Sequence, residues 1–124
     1  MSSLDGAGQW LLTAGATVLG FAVLIVIHEL GHFAAARVAG MRVERFSVGF
    51  GPVLWSRRRG ATEWCLSALP LGGYVRIAGM APGEAVDPAD GGAYPNHPAW
   101  RRFLVILAGP AMNYLMALAL AVVL

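Results

Sequence analysis

The segment that decides the fold is LLTAGATVLGFAVLIVIHELGH, residues 11–32. No charged residue occurs from Gly6 to Ile27, and about 20 apolar residues of helix are enough to cross the hydrocarbon core of a bilayer. The run continues through His28 without a break signal. It predicts one long transmembrane helix over residues 10–39, with ionisable side chains in its second half and a short tail, residues 1–9, before it.

The composition also indicates a membrane protein. Hydrophobic residues make up 57% of the 124 residues and charged residues only 13%, which is about half the usual charged share. Such a chain has too little polar surface for a soluble globule, so we expect the lipid bilayer to be its solvent. The start carries Asp5 and no Lys or Arg, unlike a secretory leader. The basic residues lie between two apolar runs, which argues against a nucleic-acid partner.

The middle of the chain has the composition of a small β-structure followed by a loop. Residues 40–79 are predicted as an antiparallel β-segment, and residues 80–99, rich in Pro, Gly, Asp and Ala, as a flexible loop. Pro70 and Gly72-Gly73 are expected to separate the last two of three strands, namely Val43–Trp55, Thr62–Leu69 and Tyr74–Ile77.

A second apolar run predicts a second transmembrane helix over residues 100–124. Trp100-Arg101-Arg102 at its start is typical of an anchor at the membrane interface, and the chain stops inside the run, as a truncated sequence would. The fold class expected is therefore membrane α-helical, with two transmembrane helices and an intervening antiparallel β-segment. All nine basic residues are Arg between Arg37 and Arg102, and the N-terminal tail has none. The positive-inside rule places this loop in the cytoplasm and the N-terminus outside, in a multi-pass protein of the inner (plasma) membrane.

The motif with chemistry is His28-Glu29-Leu30-Gly31-His32. His28 and His32 are four residues apart and share one helix face, where two imidazoles can bind one Zn²⁺. Glu29 lies about 100° around the helix, where it can serve as general base without ligating the metal. Ionisable residues within a spanning helix are costly and usually functional. The alternative is that the three side chains are simply hydrated at a cytoplasmic helix end.

Several motifs together resemble the site-2 protease family of intramembrane zinc metalloproteases, and among them the bacterial regulator-of-sigma-E proteases. The resemblance covers the chain from about Val23 to its end, in the same order and spacing. Beyond the His-Glu motif it rests on three segments: Val43–Gly51, the Pro-Leu-Gly-Gly-Tyr-Val element Pro70–Val75, and Ala-Gly-Pro-x-x-Asn at Ala108–Asn113.

The resemblance implies zinc-dependent hydrolysis of a transmembrane protein substrate, with an anti-sigma factor as one candidate. It also implies that the β-segment holds the substrate as an added strand, at the Gly-rich part formed by Pro70, Leu71, Gly72, Gly73 and Tyr74. A peptide must be extended before water can attack it, which makes strand addition physically reasonable. The alternative is that the β-segment only caps the cytoplasmic mouth.

Three points of the resemblance remain open. Asn113 either hydrogen-bonds the substrate or oxyanion, or binds another helix. Gly109 and Pro110 are expected to permit close packing or a kink. The third zinc ligand of the family, an Asp in a Leu-Asp-Gly element, and its extracytoplasmic peptide-binding domain have no counterpart here, so we expect this chain alone to be inactive. A membrane scaffold that keeps the fold without catalysis is the alternative to an enzyme.

Overall fold

The computed structural model describes residues 5–124. The elements follow in the order helix α1 (Gly6–Val38), strand β1 (Val43–Arg59), strand β2 (Thr62–Ile77), a short 3-10 turn (Tyr94–Asn96) and helix α2 (Ala99–Val123). Of the predicted tail, residues 1–4 lie outside the described part, and α1 already begins at Gly6. Asp5 caps this start, because its carboxylate accepts a hydrogen bond from the backbone N–H of Gly8 at 2.8 Å.

Helix α1 ends where glycine permits a left-handed turn. Gly40 has φ 82°, and the N–H of Met41 reaches back to the carbonyl of Ala36 at 2.9 Å, as in a Schellman cap. The 33 residues of α1 and the 25 of α2 are each long and apolar enough to cross a membrane. The two helices that sequence analysis predicted are therefore present, with a β-sheet between them.

The sheet is built from two long antiparallel strands that bend. Residues 45–48 of β1 pair on one side with residues 63–66 of β2 and on the other side with residues 73–76. Farther along, residues 53–59 of β1 pair with residues 62–67 as a hairpin. Two strands therefore form a sheet of four adjacent segments, in the order 73–77, 45–48, 63–66 and 53–59. Residues 73–77 make one outer edge of this sheet.

The predicted division into three strands was wrong in its details. Strand β1 runs to Arg59, beyond the predicted end at Trp55, and β2 passes through Pro70 and Gly72 without interruption. Proline is tolerated there because this part of β2 crosses from one side of β1 to the other and is exposed. Gly49, with φ 87°, lies close to the Leu69 carbonyl and allows β1 to bend at the same level.

The loop of residues 80–99, whose flexibility stays a prediction, contains a series of hydrogen-bonded turns. Asp90 accepts two hydrogen bonds from the Arg42 guanidinium, at 3.0 and 2.8 Å, and Arg42 N–H donates to the Gly92 carbonyl at 2.8 Å. The Asn96 amide donates to the carbonyls of Asp87 and Asp90, both at 2.9 Å. These bonds tie the loop to the start of β1.

A small core joins both helices and both strands at one end of the helices. Its buried members are Ala36, Met41, Val43, Ile77 and Val105. Beside it the rings of Phe33, Phe46 and Trp64 pack together with centroids 5.0–5.8 Å apart. The core holds the β-sheet against the end of α1, so that the outer edge of β2 faces the second half of that helix.

Candidate metal centre

The two histidines of the His-Glu motif converge on one point. His28 and His32 lie one turn apart on α1, and their Nε2 atoms are 3.1 Å apart. The rings are nearly perpendicular, with an interplanar angle of 77° and centroids 4.8 Å apart. Both side chains are partly buried between α1 and α2. The helical spacing therefore brings the two nitrogens together as predicted from the sequence.

A carbonyl of α2 determines the tautomer of His32. Its Nδ1 lies 2.7 Å from the backbone oxygen of Val105, which can only accept a hydrogen bond. Nδ1 therefore carries a proton, which leaves Nε2 as the nitrogen that can bind a metal. A histidine that ligates a metal usually donates its other N–H in this way.

This arrangement fits a zinc ion in part. Two imidazole nitrogens bound to one tetrahedral zinc are about 3.3 Å apart, close to the separation found here. Among residues 5–124, however, no group of three His, Cys, Asp or Glu side chains comes together that could hold a metal. His28 and His32 would supply two ligands, and a third must come from elsewhere.

Glu29 lies beside the outer edge of the sheet and lines the same cavity as His32. The backbone of Val75 lies within interaction distance of its carboxylate. A Cβ added at Gly73 would be 3.6 Å from Glu29 Cγ and 3.5 Å from Ile25 Cγ2, so the sheet passes close to α1 here. Glu29 and His32 line a cavity of about 220 Å³, together with Tyr74, Val75, Met80 and Val105.

Of the predicted strand-binding residues, Gly73 and Tyr74 lie nearest this cavity, while Pro70 and Leu71 are exposed farther along β2. Gly72 is buried against the ring of Phe50, which a Cβ at this position would overlap. The structure thus brings only part of the predicted Gly-rich element next to Glu29.

Gly109 leaves room for the two histidine rings. A Cβ at this position would lie 2.7 Å from His28 Nε2 and would also overlap His32 Nε2. Gly31 has the reciprocal place on α1, since a Cβ there would overlap the Ala108 carbonyl and lie 2.7 Å from Met112 Cγ. These two glycines let the helices approach closely at the level of the site.

The contribution of α2 to the site follows a helical period. Val105, Gly109 and Asn113 are four residues apart in turn, so they form one face of α2, and this face meets His32 and His28. The sequence predicts close packing or a kink at Gly109 and gives no indication of Val105. The role of Gly109 could have been predicted, because it lies one helical turn before Asn113. The role of Val105 could not, because a backbone carbonyl leaves no signal in the pattern of side chains.

Asn113 contacts the ring of His28 on the side away from His32. Its Nδ2 is 3.3 Å from His28 Nδ1, and its Oδ1 is buried with no hydrogen-bond partner among the described residues. This contact joins α2 to α1.

Asp87 and Asp90 lie in the loop, where they stabilise turns. The Arg42 guanidinium, with a further hydrogen bond from the Gly92 N–H, lowers the pKa of Asp90 to about 2. The remaining histidine, His97, contacts the Gly91 carbonyl through Nε2 at 2.8 Å. These groups maintain the loop and do not join the histidine pair of α1.

The fold and site define a class of protein: two apolar helices with a His-Glu-x-x-His motif that faces the edge of a β-sheet, as in membrane zinc peptidases. The family model of Peptidase family M50 matches residues 16–124, and the chain belongs to that family.

Named relatives agree with this assignment. The chain is 46% identical over 114 residues to the zinc metalloprotease Rip1 of Mycobacterium tuberculosis, a match that covers 89% of the chain and 28% of the relative. It is 45% identical over 107 residues to Rip1 of Mycolicibacterium smegmatis, covering 82% of the chain and 26% of the relative. The chain thus spans about a quarter of the length of the curated relatives it matches.

Proposed function

We propose that this chain supplies the zinc-binding helix and the substrate-binding sheet of an intramembrane zinc endopeptidase. The observation that carries the proposal is the convergence of His28 Nε2 and His32 Nε2 beside Glu29, within a helix apolar enough to span a bilayer. Membership of Peptidase family M50 supports peptide hydrolysis as the reaction.

His28 and His32 would hold the metal through Nε2, and the Val105 carbonyl keeps the His32 ring in place. Bound zinc would act as a Lewis acid that polarises the scissile carbonyl and lowers the pKa of water. Glu29 accepts the proton of the attacking water and later returns it to the leaving amine, as general base and then general acid. The third ligand and the remaining catalytic groups come from outside residues 5–124.

The substrate is a transmembrane protein segment, with an anti-sigma factor as one candidate, and it binds as an extended strand. The outer edge at residues 73–77 supports this proposal, because Tyr74, Val75 and Ile77 line the cavity that also contains Glu29. A helical substrate hides its carbonyls in its own hydrogen bonds, and pairing with a sheet edge would replace those bonds during unwinding. Of the predicted element, Gly73 and Tyr74 would contact the substrate near the scissile bond, and Pro70, Leu71 and Gly72 would guide it there.

The protein lies in the plasma membrane with both helices across the bilayer. Helices α1 and α2 are antiparallel, since His32 contacts Val105 and His28 contacts Asn113, and antiparallel neighbours cross in opposite directions. The Arg-rich segment between them is cytoplasmic by the positive-inside rule, and the N-terminus is outside.

The test of this function is Glu29→Gln in the protein expressed from its complete gene. The amide keeps the shape of the side chain and removes its basicity, so the variant should insert and retain zinc yet cleave a model transmembrane substrate at least 100-fold more slowly, the lower range for general-base catalysis. His28→Ala serves as comparison and should lose zinc as well as cleavage. Near-normal cleavage by Glu29→Gln would remove this residue from the mechanism, and zinc-free wild-type protein would favour a scaffold.

A further inference from the structure

A cavity separate from the histidine pair lies between the end of α1 and the tip of the hairpin of β1 and β2. Its volume is about 540 Å³, within the roughly 300–1,000 Å³ that is usual for ligand pockets. Its apolar walls include Met41, Val43 and Trp64, and no Asp or Glu of the described chain lines it. Three arginines from different parts of the chain line this arginine cavity: Arg37, Arg42 and Arg59.

Two of the three arginines lack a carboxylate partner in the described chain. Arg42 pairs with Asp90 at 2.8 Å, whereas Arg37 and Arg59 form no ion pair with any residue that the structure describes. The guanidinium of Arg37 lies instead over the ring of Phe33, 5.7 Å from its centroid. Positive charges that share a cleft raise the local concentration of anions, so the arginine cavity favours an anionic ligand.

The neighbouring arginine, Arg58, has different surroundings. It lines a second cavity that also contains Glu44 and Glu63, and both carboxylates form ion pairs with arginines. Successive residues of a strand lie on opposite faces, which explains why Arg58 and Arg59 border different cavities. Acidic side chains thus balance the second cavity, while the arginine cavity keeps an excess of positive charge.

The arginine cavity lies at the level where both helices leave the bilayer in the proposed membrane placement. Arg101 Nη1 donates to the Ala39 carbonyl at 3.3 Å, so the start of α2 with Trp100 lies beside the end of α1. Arg37 precedes Ala39 by two residues, which is about 3 Å along the helix axis. Trp and Arg at helix ends are typical of the headgroup region. The phosphates of the cytoplasmic leaflet are therefore the anions nearest to the cavity.

Two indole rings favour a lipid over a free phosphate ion as the ligand. Trp55 and Trp64 line an adjoining cavity of about 350 Å³ together with Arg57 and Arg59. Arg59 and Trp64 belong to both cavities, so the charged and the aromatic surfaces are continuous. Tryptophan is enriched where one end of a ligand is apolar and the other is hydrated, as in the upper part of a phospholipid.

We propose that the arginine cavity binds the headgroup phosphate of an anionic phospholipid of the cytoplasmic leaflet, with Arg37 and Arg59 as its ligands. A guanidinium donates paired, charge-assisted hydrogen bonds to phosphate oxygens. Because Arg37 belongs to α1 and Arg59 to the hairpin, one bound headgroup would link the zinc-binding helix to the sheet. The proposal goes beyond the proposed function: it needs both helices in the membrane and needs neither zinc nor peptide hydrolysis.

Binding is measured by native mass spectrometry on the detergent-purified protein from the complete gene, with dioctanoyl phosphatidylglycerol as the added lipid. One Arg near a membrane surface strengthens the binding of anionic lipid about fivefold, so Arg37→Gln and Arg59→Gln should each weaken it by about that factor. Arg58→Gln is the matched control, because it removes the same charge from the adjacent position, and its binding should stay close to that of wild type. Arg59→Lys keeps the charge and should keep most of the affinity, which separates loss of charge from a disturbance of the hairpin.

Three results would overturn the proposal. Equal losses in Arg58→Gln and Arg59→Gln would show that binding follows the net charge of the surface and not the arginine cavity. Inorganic phosphate that displaces the lipid at equal concentration would assign the cavity to a soluble anion. Dioctanoyl phosphatidylcholine bound as tightly as the phosphatidylglycerol would show that the charge of the lipid is not recognised. Failure of the proposed function is distinguishable, since a protein without zinc or cleavage would still show the loss of lipid binding in Arg37→Gln and Arg59→Gln.

Discussion

Replacement of Gly109 by alanine should weaken zinc binding although it removes no ligand. The added Cβ would lie 2.7 Å from His28 Nε2, whereas ordinary contacts begin at 3.4 Å, and it would overlap His32 Nε2 as well. Both atoms are the ones that must face the metal. His32 cannot turn away without losing its 2.7 Å hydrogen bond to Val105.

The size of the loss in zinc affinity depends on which state of the protein can relieve the overlap. In the metal-free protein the rings can tilt or α2 can shift by a few tenths of an ångström. In the zinc-loaded protein both Nε2 atoms are held on the ion, so the overpacking cost of about 1–3 kcal/mol falls mainly on that state. This difference corresponds to zinc binding weaker by about 5–150-fold.

The assay is chelator competition for zinc on the purified protein from the complete gene, together with its melting temperature. Gly20→Ala is the matched control, because a Cβ there has no atom within 4 Å, and it should bind zinc as wild type does. Zinc affinity of Gly109→Ala equal to that of Gly20→Ala would refute the reasoning, since the rings would then have room that the structure denies them.

Two further predictions concern the loop. In cells that express Gly91→Cys, an impermeant thiol reagent should label the protein only after permeabilisation. A cysteine at the exposed position Gly6 should be labelled in intact cells. The reverse pattern would mean that the topology is inverted. Asp90, whose pKa is lowered to about 2 from 3.8, stabilises the loop above about pH 4, and this contribution is lost as pH falls through 2. The Gly92 amide resonance should therefore titrate near pH 2 in wild type and stay unchanged in Asp90→Asn; a midpoint near 4 would mean that the Arg42 contact is absent in solution.

Much of the sheet could be foreseen from local composition, and its connectivity could not. The β-branched and aromatic residues predicted strands within residues 43–77. The polar turn predicted at Arg57–Gly60 was misplaced, because Arg57–Arg59 belong to β1. Pro70 and Gly72 suggested a break, yet the chain stays extended through them. Pairing of residues 45–48 on both sides depends on the bend of both strands, which local propensity does not encode.

The loop of residues 80–99 shows a second gap between composition and structure. Its Pro, Gly and Asp content is typical of a flexible segment, and these residue types also form tight turns. Composition does not show which turns form, because Arg42, which binds Asp90 with two hydrogen bonds, lies 48 residues before it. A contact between residues so far apart in the chain leaves no periodic pattern in the sequence.

By itself the sequence determined the two apolar helices and the placement of His28 and His32 one turn apart, because both follow from hydrophobic length and helical period. Only the tertiary structure decided what surrounds them: the Val105 carbonyl on His32, the space at Gly109 and the amide of Asn113 beside His28. These contacts join residues 73–85 positions apart in the chain. They depend on how closely α1 and α2 approach, and that distance is set by the small residues at the crossing and by the shared core at one end.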